Sequence, residues 1–68
     1  MDAGKKLRRF REQIGMSQRA MADVLNTTHV VVGRWERGVF KPNVHSLAKM
    51  AALMGCTIDE LVKDEVTE

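Results

Sequence analysis

The stretch that decides the fold is SQRAMADVLNTTHVVVGRWERG, residues 17–38. Met21 and Leu25 lie four residues apart, which predicts a short amphipathic helix with both side chains directed inward. Ser17 precedes this helix where an N-cap residue belongs, and Asn26 follows it. Because asparagine tolerates the left-handed backbone conformation better than most residues other than glycine, the helix is predicted to end there in a tight turn.

A second helix is predicted between Thr28 and Gly38, although Val30-Val31-Val32 is a β-branched run that favours a strand by propensity alone. Thr28 can cap this helix and Gly38 can end it. Val32 and Trp35 lie three residues apart, as two inward-facing helical positions would. We therefore expect tertiary contacts to override the local preference of the three valines.

Two short helices joined by a three-residue turn are too common to indicate a function alone, but the spacing of residues within about 18–37 fits a helix-turn-helix unit. Helices that cross steeply need a small residue at their contact, a turn residue that accepts a positive φ, and apolar residues that hold the second helix against the first. Ala22 provides the first of these and Asn26 the second. Val32 and Trp35 provide the third.

Upstream of the unit, a helix is predicted over about residues 3–14, ending at Gly15. One face of this helix carries the residues spaced i, i+3, i+4 and i+7, which are Leu7, Phe10, Arg11 and Ile14. The other faces carry most of a basic cluster, made of Lys5, Lys6, Arg8 and Arg9. We expect this cluster to be a solvated surface that adds only diffuse attraction for a polyanion.

Downstream of the unit, Asn43 can cap a helix that runs through Met54 and ends at Gly55. The residues that this helix is expected to bury are Val44, Leu47, Met50 or Ala51, and Met54. Thr57 and Glu60, three residues apart, form a capping box that begins a last short helix. The predicted fold class is therefore all-α, with five helices and no strands in a single domain over residues 1–68.

The composition excludes several classes of protein. A chain of 68 residues is too short for a two-domain enzyme, and a single cysteine, Cys56, excludes an intrachain disulfide framework. No apolar run approaches the roughly 18 residues that span a bilayer, and no secretory signal is visible, so we expect a soluble cytoplasmic protein. The sequence has no catalytic constellation, phosphate-binding glycine loop or metal-ligand spacing, and we expect neither enzymatic activity nor a cofactor or metal.

Charge is distributed unevenly along the chain. Residues 1–41 carry nine basic and four acidic side chains, a balance of +5, whereas residues 42–68 carry two basic and five acidic side chains, a balance of −3. This asymmetry suggests that the N-terminal part meets a polyanion and the C-terminal part does not.

Over residues 7–62 the sequence resembles the Cro/CI-type helix-turn-helix family, also called XRE-like or lambda-repressor-like. The most specific segments are Gly15-Met16-Ser17-Gln18, Arg34-Trp35-Glu36-Arg37-Gly38 and Lys41-Pro42, followed by Leu47, Ala51, Gly55 and Ile58-Asp59-Glu60-Leu61. Two features depart from the family pattern. Asn26 stands where the turn usually has glycine, and Val30, Val31 and Gly33 make the normally polar recognition helix more apolar.

The resemblance implies that the second helix of the unit lies in the major groove of DNA, with His29, Val30 and Arg34 at base edges. The guanidinium of Arg34 matches the two acceptors of guanine, and such a bidentate contact discriminates between bases by about 1–3 kcal/mol. Val30 would touch a thymine methyl group, and His29 would donate to a base acceptor or a phosphate.

The resemblance also implies contacts to the DNA backbone from four residues. Gln18 and Thr28 lie at helix N-termini, where backbone N–H groups and the helix dipole favour phosphate oxygens. Arg37 and Lys41, on either side of Gly38, would hold the backbone beyond the recognition helix.

Arg11 has two interpretations. It belongs to the basic N-terminal helix, but it lies on the apolar face of that helix, and its family counterpart pairs with the glutamate that corresponds to Glu36. We favour a structural Arg11–Glu36 ion pair over a DNA contact. In the same way we favour Trp35 as a core residue over a platform for base stacking, and Cys56 as a small packed residue.

The sequence thus predicts a sequence-specific transcriptional regulator of prokaryotic or phage origin, acting as a repressor on double-stranded DNA. One such unit contacts few base pairs, so we expect a homodimer on a palindromic operator with half-sites about 34 Å apart, joined through the last helix and the acidic C-terminal part. Regulation would come from concentration, competition or a protein partner. The alternative is an antitoxin-like protein-interaction module with secondary DNA binding, suggested by an apolar patch formed by Val30-Val31 and Val39-Phe40.

Overall fold

The structure, a computed structural model, describes residues 3–63. This part of the chain folds into five α-helices and contains no strand, which confirms the all-α prediction. In chain order the helices are α1 (Ala3–Gln13), α2 (Gln18–Leu25), α3 (His29–Glu36), α4 (Val44–Met54) and α5 (Ile58–Val62). None of these helices is long and apolar enough to cross a membrane.

Four of the helices begin at a residue whose side chain caps them. The side-chain oxygens of Ser17, Thr28, Asn43 and Thr57 each accept a hydrogen bond from the backbone N–H three residues later, over 2.9–3.3 Å. Each cap satisfies one of the donors that a helix N-terminus leaves unpaired. At Thr57 the capping box is complete, because the Glu60 carboxylate accepts a hydrogen bond from the Thr57 N–H over 2.8 Å.

The turn between α2 and α3 depends on Asn26, which adopts the left-handed conformation with φ 59° and ψ 49°. Among the described residues it is the one residue other than glycine with a positive φ. The N–H groups of Asn26 and Thr27 donate to the carbonyls of Asp23 and Ala22, over 3.3 and 2.9 Å. These bonds close the C-terminus of α2 and turn the chain toward α3 within three residues.

The valine run lies inside α3, as predicted, although its local preference is for a strand. Val32 is completely buried and Trp35 nearly so, at 0% and 6% exposure. Their burial stabilises the helical conformation by more than the small difference in intrinsic propensity, which is a few tenths of a kcal/mol per residue.

The core lies where α1, α2, α3 and α4 meet, and α5 covers one end of it. Its buried apolar residues are Ala3, Leu7, Met21, Ala22, Leu25, Val32, Trp35, Met50, Ala51 and Leu61. Periodicity predicted that the side chains of Ile14 and Val44 face the core, and both predictions are wrong. Ile14 is 50% exposed because α1 ends one residue before it, and Val44 is 62% exposed because it is the first residue of α4, before that helix reaches the core.

The backbones of α1 and α3 come into direct contact at Gly4. A Cβ atom at this position would lie 1.8 Å from the Trp35 carbonyl oxygen, so only glycine allows this approach. On another side of α1, the Lys6 ammonium donates to the carbonyls of Glu60 and Lys63 over 2.7 and 2.8 Å. These bonds tie the C-terminal end of α5 to α1.

Candidate nucleic-acid interface

The eight residues of α3 divide into two faces. Val32, Gly33, Trp35 and Glu36 are buried and form the inner face. Val30 and Arg34, one turn apart, are exposed on the outer side of the helix, and His29 at its N-terminus is half-buried. The structure thus brings Val30 and Arg34 to the part of α3 that does not pack on the core, whereas His29 is partly covered at the start of the helix.

The inner face is fixed by Glu36, a carboxylate that is only 4% exposed. Arg11 donates to both of its oxygens, from Nε to Oε2 over 2.8 Å and from Nη2 to Oε1 over 3.0 Å. Arg11 Nη1 also donates to the Met16 carbonyl over 2.9 Å. Because all three guanidinium nitrogens of Arg11 have partners within the protein, the structure places this arginine in the ion pair and not at a DNA surface.

Gln18 is the third member of this network. Its side-chain Nε2 donates to Glu36 Oε1 over 3.0 Å, so the carboxylate holds α1, through Arg11, and α2, through Gln18, against α3. A role that the sequence did not suggest therefore falls to the Gln18 side chain. Its predicted contact with phosphate, which rests on the backbone N–H groups at the N-terminus of α2, stays a prediction.

The pKa of Glu36 reflects these contacts. Burial alone raises the pKa of this carboxyl, but the hydrogen bonds and positive charge of Arg11, together with the Gln18 amide, outweigh burial and hold it below its ordinary value. The pKa of Arg11 is raised by its hydrogen bond to Glu36, against the opposing effect of burial. Both groups are charged at neutral pH.

The remaining predicted contacts lie at the two ends of α3 and in the loop that follows it. Arg37 ends α3 as its C-cap, and Lys41 lies four residues further on in the loop before α4; both are exposed. Thr28, at the other end of α3, is exposed and caps the helix. Three cations, from Arg34, Arg37 and Lys41, thus follow the C-terminal half of α3 and the loop beyond it.

Phe40 is a residue of this surface that the sequence did not connect with Arg34. The Cζ atom of Arg34 lies over the Phe40 ring, 5.1 Å from its centroid. The two residues are six positions apart across Gly38, a spacing that no helix or strand periodicity brings together, and so no sequence signal indicated the contact.

The apolar patch suggested by the sequence is present in part. Val30, Val39 and Phe40 are 47%, 60% and 48% exposed. Val31 does not belong to it, because this side chain is half-buried against the core. Within residues 3–63, no group of three or more histidine, cysteine or acidic side chains is arranged to hold a metal ion.

The sequence was compared with known protein families. Residues 7–61 of the chain match the helix-turn-helix family. The chain belongs to this family. The resemblance inferred from the sequence is therefore confirmed, and α2 and α3 form the helix-turn-helix unit of the protein.

Other helix-turn-helix proteins are similar to this chain in both sequence and structure. A prophage-derived HTH-type transcriptional regulator of Bacillus subtilis, YonR, is 35% identical over 60 residues, which are 88% of this chain and 56% of that protein. A crystal structure of the P22 c2 repressor with a synthetic operator superposes with a TM-score of 0.84 at 25% identity, covering 93% of this chain and 96% of that one. A transcriptional regulator from Listeria innocua gives a TM-score of 0.83 at 28% identity, covering 98% of this chain and 64% of that one.

This helix-turn-helix chain matches only part of each full-length relative. It spans 56% of YonR, 32% of the transcriptional activator BcrR of Enterococcus faecalis and 30% of the C2 repressor of Salmonella phage P22.

Proposed function

We propose that this chain is a DNA-binding domain, over residues 1–68, of a transcriptional regulator that reads the major groove of double-stranded DNA through the outer face of α3. The observation that carries the proposal is the likeness, at a TM-score of 0.84, to a repressor crystallised with its operator. It is supported by the exposure of Arg34, whose guanidinium has no hydrogen bond or ion pair within residues 3–63 and contacts the Phe40 ring. A guanidinium without hydrogen bonds inside the protein has all its N–H donors available for the edge of a guanine base.

The proposal assigns base contacts to His29, Val30 and Arg34. It assigns phosphate contacts to the N-termini of α2 and α3, at Gln18 and Thr28, and to Arg37 and Lys41. Direct base contacts give specificity, whereas phosphate contacts give affinity that falls as salt rises. The role is one of binding and regulation, with no reaction and no cofactor, in the cytoplasm of a bacterial or phage-infected cell.

We further propose that the protein represses transcription as a homodimer on a palindromic operator. One recognition helix contacts too few base pairs for useful specificity, and two copies one helical turn apart, about 34 Å, double the number. On the described residues, α5 offers Val62, which is 48% exposed, as an apolar contact for the second copy. The acidic residues that the sequence also assigned to this surface, Asp64, Glu65 and Glu68, lie outside the described residues.

Selection of bound duplexes from a random DNA pool tests this function, followed by measurement of affinity for the selected and for random duplexes across a range of salt concentrations. We expect a palindromic consensus, a preference of about 10³-fold or more, and a steep fall of affinity with salt. Arg34→Ala should reduce the preference at one base pair per half-site by about 1–3 kcal/mol. Arg9→Ala is the matched control, because that exposed arginine of α1 lies beside Met54 and Glu60, on a surface that α3 does not contribute to.

Equal affinity for all duplexes would overturn the proposal and favour the second candidate, a protein-interaction module with secondary DNA binding. The exposed side chains of Val39 and Phe40 are the observation that favours this candidate. A regulatory protein partner bound at this patch is also compatible with the first function.

A further inference from the structure

We infer that Phe40 is a positioning residue for base recognition: its ring holds the Arg34 guanidinium in the orientation in which that group reads a base. The inference deepens the proposed function and rests on it. It starts from one contact, the Arg34 Cζ atom 5.1 Å from the Phe40 ring centroid. This distance is within the range of an attractive cation–π interaction.

Hydrogen bonds fix the backbone of Phe40 beside Arg34. The Arg34 carbonyl accepts hydrogen bonds from the N–H groups of both Val39 and Phe40, over 2.9 and 3.4 Å. Gly38, with φ 77°, turns the chain back at the end of α3 so that these bonds can form. A few residues later Pro42 and the N-cap Asn43 lead the chain into α4. The backbone from which the ring extends is therefore fixed beside Arg34, although 48% of the surface of Phe40 is exposed.

An aromatic ring can restrain an arginine side chain without using its hydrogen-bond donors. When a guanidinium stacks on an aromatic ring, its N–H groups point outward in its own plane, so the donors stay available to the two acceptors of guanine. Arg11 shows the opposite case, since Glu36 and the Met16 carbonyl take up its nitrogens. Arg11, whose partners are hydrogen-bond acceptors, is thus a structural arginine, whereas Arg34, whose partner is an aromatic ring, can still bind a base.

Restraint of Arg34 matters because a free arginine side chain loses rotamer entropy when it is fixed. A side chain that is already restrained in the unbound protein loses less on binding, and the gain appears only where both hydrogen bonds to the base form. Phe40 should therefore raise the affinity for the cognate operator more than the affinity for random DNA.

The test compares Phe40→Leu with wild type on the selected operator and on random duplexes. Leucine keeps an apolar side chain but has no π face. We expect the ratio of the two affinities to fall about two- to fivefold, which corresponds to the ~0.5–1 kcal/mol of an exposed cation–π contact, with binding to random DNA unchanged. Phe40→Tyr should retain the wild-type ratio, and Val39→Ala, in the same loop, is the matched control that should leave it unchanged.

Two further measurements separate positioning from other roles. The effect of Phe40→Leu should disappear in an Arg34→Ala background, as a double-mutant cycle measures directly. In the NMR spectrum of the free protein, the ring-current shift of the Arg34 side-chain protons should be lost in Phe40→Leu and kept in Phe40→Tyr.

An equal loss of affinity for operator and random DNA, or an effect that persists without Arg34, would overturn the inference, since Phe40 would then act on the fold or on DNA by itself. If wild type shows no preference for any duplex, the proposed function fails and the inference fails with it. If wild type prefers an operator and Phe40→Leu leaves that preference unchanged, the inference alone is wrong.

Discussion

Arg11 and Glu36 are joined by two hydrogen bonds, of 2.8 and 3.0 Å, across 25 residues of the chain. Their side chains are 13% and 2% exposed, so the pair is largely removed from water. A buried pair of this kind stabilises little compared with apolar residues in its place, but removal of one partner leaves an uncompensated charge in the interior. Here that charge would lie at the contact of the three helices that position the outer face of α3.

Removal of one member of the pair should therefore destabilise the protein strongly. We expect Glu36→Gln to lower the free energy of unfolding by about 3 kcal/mol or more, measured by urea denaturation. The matched control is Glu12→Gln, which breaks the exposed Arg8–Glu12 pair, 57% and 54% exposed, and should cost less than about 0.5 kcal/mol. Similar losses in the two variants would show that the Arg11–Glu36 pair is no more important than a surface ion pair.

Stability should depend on pH through Glu36. The pKa of this carboxyl is held below its ordinary value in the folded protein, so the unfolded chain binds a proton more readily as the pH falls. Its contribution is fully present above about pH 5, and it decreases as the pH falls below about 4.3 toward the folded-state pKa. Urea denaturation between pH 3 and 7 should show this decrease in wild type, and a smaller one in Glu36→Gln.

Gly4 should not tolerate any side chain. A Cβ at this position would lie 1.8 Å from the Trp35 carbonyl oxygen and 2.6 Å from its carbon, both of them backbone atoms that cannot turn away. We expect Gly4→Ala to cost about 1–3 kcal/mol because α1 must move away from α3. Gly33→Ala is the control: its Cβ would lie 3.3 Å from the end of the flexible Arg37 side chain and 3.5 and 3.6 Å from the Gln18 amide, which is ordinary contact, and helix propensity favours alanine by about 1 kcal/mol. A thermal melt in which both variants behave alike would contradict the close approach of the two helices.

Asn26 should be replaceable by glycine but not by valine. Its φ of 59° is accessible to glycine without strain, whereas a β-branched side chain in the left-handed region costs about 1–2 kcal/mol. We expect the free energy of unfolding of Asn26→Gly to be within about 0.5 kcal/mol of the wild-type value. That of Asn26→Val should be lower than the wild-type value by about 1–2 kcal/mol. Equal stability of the two variants in urea would mean that the turn can adopt another conformation.

Lys41 should contribute affinity without sequence preference. If it contacts phosphate, Lys41→Ala should weaken binding about equally for operator and random duplexes and reduce the slope of log K against log salt by about 1. Fluorescence anisotropy titrations at four or more salt concentrations measure both quantities. Arg9→Ala should leave them nearly unchanged. A loss confined to the operator would instead assign Lys41 to a base contact.

Most of the fold could be predicted from the sequence because each helix end is decided by local chemistry. Ser17 and Thr57 cap the helices that follow them, as their positions predicted. The errors, at Ile14 and Val44, lie at helix termini, where a periodic pattern continues in the sequence after the helix has ended or before it has reached the core. At these positions periodicity does not indicate which side chains are buried.

The site could be predicted less completely because its most specific contacts depend on tertiary structure. The hydrogen bond from Gln18 to Glu36 and the contact of Phe40 with Arg34 join residues that share no periodic relationship in the sequence. The Arg11–Glu36 pair was expected only through the family resemblance. Sequence patterns identify which residue types are present, whereas the packing of α1, α2 and the loop after α3 determines which of them meet.

The two-sided character of α3 also bears on how such a protein can change over time. Val32, Trp35 and Glu36 hold the helix in place, while Val30 and Arg34 are exposed and His29 is half-buried at the start of the helix. Under the proposed function, substitutions at the latter three positions would change operator preference while leaving the buried face of α3 intact. A library randomised at these three codons would sample binding specificities among molecules that still fold.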